Sequence, residues 1–205
     1  MNARGASVLG ACVAWFLSAA PFALDAQTFA GLSRAALAAI PWIAYCGLPR
    51  ALGDSGLRAV AFEIALFLPP LALGTWIDLA GGMARPEAAS ISGAALGFAC
   101  GLSLSARLAA RAAFVRDAHA VVWALFVVLA PVLAATLVLG GASTFGSAPT
   151  WLAHASSLSP LGWMCAQLAQ DSGARATPFA PLVLVLVLTL IGFGARRASV
   201  RTEDE

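Results

Sequence analysis

Two kinds of residue in this chain could do chemistry: the serine of Gly53-Asp54-Ser55-Gly56, and a few acids and histidines set along apolar stretches. A serine nucleophile needs a base within hydrogen-bond reach, oriented by a third group. The chain has only His119 and His154, one at the start of an apolar block and one in a connection, and neither is placed to sit buried beside Ser55. Serine hydrolysis is disfavoured. The four cysteines, at 12, 46, 100 and 165, form no CxxC or zinc spacing and read as small packing residues. No catalytic, cofactor-binding or metal-ligating set emerges. The chain has no lysine, so a GxxxxGK[ST] phosphate loop is absent and ATP hydrolysis by this chain is not expected.

Glu63 is the acid set within the body of an apolar block. A charge at the bilayer centre costs roughly 3 kcal/mol on insertion scales, and such residues often mark function. Glu63 follows Arg58 by about one turn, which puts it near an interface, and its five-residue spacing is wrong for a good helical pair with Arg58. Interfacial anchoring is therefore favoured over a proton relay. Asp78, near the other end of the same block, is expected to meet water.

The elements that must position these residues are set by composition. The 205 residues are 60% hydrophobic and 11% charged, against about 25% charged in a soluble domain. A net charge of +2 gives no case for nucleic acid. Apolar blocks fall at about 6–24, 28–49, 59–80, 88–106, 120–140 and 179–195. A spanning helix needs about 20 residues. The second is apolar only over about 35–48, short for a span unless it begins near Thr28 with Arg34 snorkelling to the headgroups. The Leu/Val alternation after Leu182 is read as helix, because open strand edges cannot cross lipid. The expected fold is all-α: a single transmembrane domain over 1–205, polytopic, with six transmembrane helices and short interfacial helices between spans five and six.

Orientation follows from arginine. With the N-terminus cytoplasmic, Arg4, Arg50, Arg58, Arg107, Arg111, Arg116, Arg196, Arg197 and Arg201 lie inside, and Arg34, Arg85 and Arg175 outside. That positive-inside bias puts both termini in the cytoplasm of an inner-membrane protein. A competing reading takes the first block as a signal peptide cut after Ala26, although Leu24 stands where a small residue is preferred.

Gly93, Gly97, Gly101 and Ser105 recur at steps of four, a small-residue face that lets another helix approach closely, within the subunit or between subunits. Pro41, Pro69, Pro70 and Pro131 predict kinks. Ser105 to Arg116 reads as a helical extension into the cytoplasm, with Arg107 and Arg111 on one face for lipid phosphates or an acidic partner. The apolar stretch 151–168 reads as one or two short helices lying in the outer interface or dipping into it, with Trp151 and Trp163 suited to the headgroup zone.

Three pieces occur in order: Gly101-Leu-Ser-Leu-Ser105, Ala148-Pro-Thr-Trp-Leu152 and Leu158-Ser-Pro-Leu161. With the hydropathy, the region from about Gly93 to Arg197 resembles the permease subunits of type-2 ABC exporters. The resemblance implies a permease that dimerises with a second copy or a sibling, with a separate cytoplasmic ABC ATPase subunit driving substrate outward. It implies that the loop after span two, with Arg50, Asp54, Gly56 and Arg58, is the ATPase-coupling loop. It makes Trp151, Pro160 and Trp163 part of an outer segment. The chain departs from the family in having about five residues before its first span rather than an amphipathic helix. The alternative expectation is a non-transporting accessory or assembly subunit of a membrane complex. Neither reading calls for a cofactor.

Overall fold

In the computed structural model, the described residues are 3–23, 32–48, 57–110, 113–129, 158–168 and 178–201. They form α1 (Ala3–Ala23), α2 (Arg34–Gly47), α3 (Leu57–Ala80), α4 (Arg85–Ala109) and α5 (Ala113–Val122). A π-helical segment, Trp123–Leu129, continues α5, and α6 (Pro160–Ala166) and α7 (Phe179–Arg201) follow. Among the described residues the protein is all-helical. Three helices, α3, α4 and α7, are long and apolar enough to cross a membrane; the apolar part of α1, Val8–Ala23, is shorter.

Side-chain exposure separates lipid-type surface from core. Val8, Phe16, Phe62, Trp76, Leu186 and Leu190 lie exposed on α1, α3 and α7. The inner faces are small: Ala35, Ala36, Ala38 and Ala39 of α2 and Ala95 and Ala99 of α4 are fully buried. Lipid tails are as apolar as leucine, so burying apolar surface does not drive these helices together. Close backbone approach and polar ties do.

The helices alternate in direction. Gly10 of α1 lies against Tyr45 near the end of α2, and Thr75 of α3 meets Ser92 of α4 at 2.7 Å. Gly97 and Gly101 of α4 face Leu182 and Val185 of α7, and Gly192 of α7 faces Leu108, so α4 and α7 run parallel. Gly97 and Gly101 thus serve packing inside the chain, while Gly93 faces open space. Arginines of the helices sort by end: Arg4, Arg58, Arg107, Arg116, Arg196, Arg197 and Arg201 at one, Arg34 and Arg85 at the other.

Several expectations change. α2 has 14 residues, roughly 21 Å at 1.5 Å per residue, and Arg34 is buried at its start instead of snorkelling. Pro41 lies within α2, and Pro69 and Pro70 within α3, where the expected kinks would fall; Pro131 lies outside the described residues. The column above α2 is filled by α6, which packs into the bundle and does not lie on its surface. Ser159 caps α6 by accepting from the Gly162 N–H at 2.9 Å, with Pro160 at the first helical position. Trp163 is buried edge-on to Phe98 at 5.9 Å, and the Ser33 N–H donates to the Leu168 carbonyl at 3.1 Å. The cytoplasmic extension of α4 is absent: α4 stops at Ala109, and α5 returns against it.

Gly74 lets the backbone of α3 come close to that of α2. A Cβ there would stand 2.8 Å from the Ala35 nitrogen of α2, and backbone cannot yield cheaply. Gly74→Ala is expected to lower stability by about 1–3 kcal/mol, read as a lower thermal midpoint of the detergent-solubilised protein.

Candidate functional site

Two buried carboxylates, both on α3, tie the bundle at opposite ends. Asp78 is one turn past Gly74, on the face that meets α2. Its Oδ1 accepts from the Arg34 N–H at 2.7 Å, and its Oδ2 accepts from the Ala35 N–H at 3.1 Å and the Ser33 hydroxyl at 2.8 Å. Ser33 in turn accepts from the Ala36 N–H at 3.2 Å. The first amides of a helix have no intrahelical partner, and a negative charge there also meets the positive end of the helix dipole. Asp78 is 3% exposed, so it is a cap supplied from another helix rather than the wet residue expected.

At the arginine-rich end, Glu63 is 4% exposed. Its Oε2 accepts from the Ser103 hydroxyl at 2.6 Å and its Oε1 from the Tyr45 hydroxyl at 3.4 Å. The Arg107 guanidinium pairs with Oε1. Ser103 and Arg107 are four apart on α4 and so share a face. One carboxylate therefore joins α2, α3 and α4. Trp42 stacks on Phe67 at 5.6 Å and lies 5.5 Å from Tyr45, an apolar lid between the cluster and the bundle centre. Glu63 is thus a buried tie between helices, and Arg107 turns inward to it instead of outward.

Ser105, beside this cluster, is fully buried. Its hydroxyl donates to the Leu102 carbonyl at 3.0 Å and lies 3.1 Å from His119 Nε2 of α5. Of the expected coupling loop, only Arg58 is described, exposed at the start of α3; Arg50, Asp54 and Gly56 lie outside the described residues, as does Trp151. Pro160 and Trp163 are buried in α6. No group of three or more His, Cys, Asp or Glu suited to a metal occurs among the described residues.

The Glu63–Arg107 pair was missed because its members are 44 residues apart. Its signal was present: an acid early in one span and a base late in the next meet at the same depth when the spans are antiparallel, and buried charges in membranes pair. No family model, curated protein or solved structure matches the chain.

Removing one member of a buried pair costs about 3–5 kcal/mol, because the other charge stays buried alone. Glu63→Gln and Arg107→Gln are each expected to destabilise strongly. The double variant should lose less than the sum, with a coupling of about 1–3 kcal/mol in a double-mutant cycle of unfolding in detergent. Asp78→Ala is expected to cost about 1–2 kcal/mol through loss of the cap, with Asp78→Asn retaining part of it in the same assay.

Proposed function

We infer that the chain is the membrane-spanning permease subunit of an ABC exporter. It works as a dimer, with a second copy or a sibling, and with a separate cytoplasmic ATPase that drives substrate outward. The ordered sequence pieces from Gly101 to Leu161 support this reading, and so does the way the bundle is tied. The segment 49–56 connects α2 to α3, and Tyr45 and Glu63, on either side of it, meet at one carboxylate shared with Arg107 of α4. That juxtaposition carries the proposal. A partner pressing on the loop would move α2 and α3 together, and through Arg107 the movement would reach α4 and the α7 packed along it. Work done by ATP hydrolysis would bias the helices between two packings, because packed bundles switch between discrete arrangements more readily than they deform.

In this reading six spans cross the inner membrane, with α1, α2 and the α5–π segment completing the set begun by α3, α4 and α7. The arginine-rich end faces the cytoplasm, in keeping with the positive-inside rule, and both termini lie on that side. ATP hydrolysis belongs to the partner subunit. A second reading, a non-transporting accessory subunit, draws on the same ties: carboxylates locking both ends of α3 suit a rigid scaffold.

Solubilised in mild detergent under its native promoter, the tagged chain is expected to carry an ABC ATPase with it, and Arg58→Glu at the loop's edge is expected to weaken that association several-fold. Recovery in a stable complex that has no ATPase would favour the accessory reading.

A further inference from the structure

The contact between α5 and α4 has the parts of a proton-sensitive latch. His119 is 5% exposed. The Ser105 hydroxyl lies 3.0 Å from the Leu102 carbonyl and 3.1 Å from His119 Nε2, so Nε2 has a partner in either tautomer. Nδ1 is buried with no hydrogen-bond partner among the described residues. A doubly protonated ring would hold its charge there with no described acceptor, at a cost of the order that unpaired buried charges carry.

Among the described residues the surrounding charges offer no acceptor. On α4, Arg107 is two residues beyond Ser105 and holds Glu63. On α7, the charged residues towards this end are all arginines: Arg196 and Arg197, both exposed, and Arg201 at the helix end. On α5 itself, Arg116 pairs with Asp117 at 3.3 Å, on side chains that are largely exposed. The π segment, Trp123–Leu129, carries no charge.

Beyond the latch lies a place to bend. Segments with π-helical bonding are rare, occur mostly as single turns and collect at functional sites. Here one follows α5 directly, its Trp123 ring seated against Gly47 of α2. From the Nδ1 that has no partner among the described residues, the tie to Ser105 and the adjoining π segment, we propose that His119 is a pH-operated latch: neutral, it docks α5 on α4; protonated, it releases α5 to move about the π segment.

The sign follows from the geometry: among the described residues the docked state offers a second ring proton no acceptor, so a proton binds more readily once α5 is released. Docking is therefore fully favoured above the range of a free imidazole, about 6.5, and weakens as pH falls below it.

The test is hydrogen exchange of the full-length protein in nanodiscs of neutral lipid, corrected for intrinsic rates, between about pH 7.5 and about pH 5. Protection of α5 is expected to fall by up to about tenfold per pH unit below about pH 6.5, while α3, α4 and α7 hold theirs. His119→Gln, which donates but does not titrate in this range, should make α5 protection independent of pH. His119→Phe, an apolar filler of the same pocket, should do the same should the glutamine variant fail to assemble. Constant α5 protection in the unmodified protein would overturn the latch, as would a fall that persists in the non-titrating variants or one shared equally by α3, α4 and α7.

Discussion

The first turn of α2 begins inside the bundle, where its amide groups have no bulk water to meet. Within a bilayer each unsatisfied backbone group costs several kcal/mol, so irregular backbone is tolerated only where protein supplies the partner. Asp78 supplies it, accepting from Arg34, Ala35 and Ser33 at once. The placement of α3 follows, because Asp78 reaches α2 only if Gly74, one turn earlier, lets the two backbones nearly touch. The position of α6 follows as well. α2 is too short to fill its column, and the Ser33–Leu168 bond seats the buried α6 above it.

The same constraint governs the other end. A carboxylate inside the bundle must find donors, and Glu63 finds them on two other helices, from Tyr45, Ser103 and Arg107. The result is a set of helices joined at their ends by polar ties and along their lengths by glycine and alanine. α4 is shared by most of these contacts: Ser103 and Arg107 face α3, Ser105 faces α5, and Gly97 and Gly101 face α7.

Much of this was legible in the sequence. The apolar blocks gave the helices their places, and α3, α4 and α7 begin and end within a few residues of the blocks at 59–80, 88–106 and 179–195. The four-residue step of Gly97 and Gly101 marked a packing face. What could not be read was pairing across the chain. Asp78 looked wet because it stands at the end of a block, and nothing local shows that Arg34, 44 residues earlier, starts a helix beneath it. Glu63 looked interfacial because its nearest arginine in sequence, Arg58, has the wrong spacing, while its partner belongs to α4. Trp163 looked like a headgroup anchor because tryptophans often are, and only the shortness of α2 makes room for it inside. The short-range signals of period and length are local; the partners of buried charges depend on tertiary packing.

The central claim is that these helices form a bundle whose two ends lie on opposite sides of a membrane. Arg58 and Ala84, the exposed residues that bracket α3, sample those ends. With Cys12, Cys46, Cys100 and Cys165 replaced by alanine, Arg58→Cys and Ala84→Cys can be labelled in sealed vesicles of known orientation with a membrane-impermeant maleimide. The account predicts that Ala84→Cys reacts from the outer side and Arg58→Cys only after the cytoplasmic face is opened. Labelling of both from one side would contradict it.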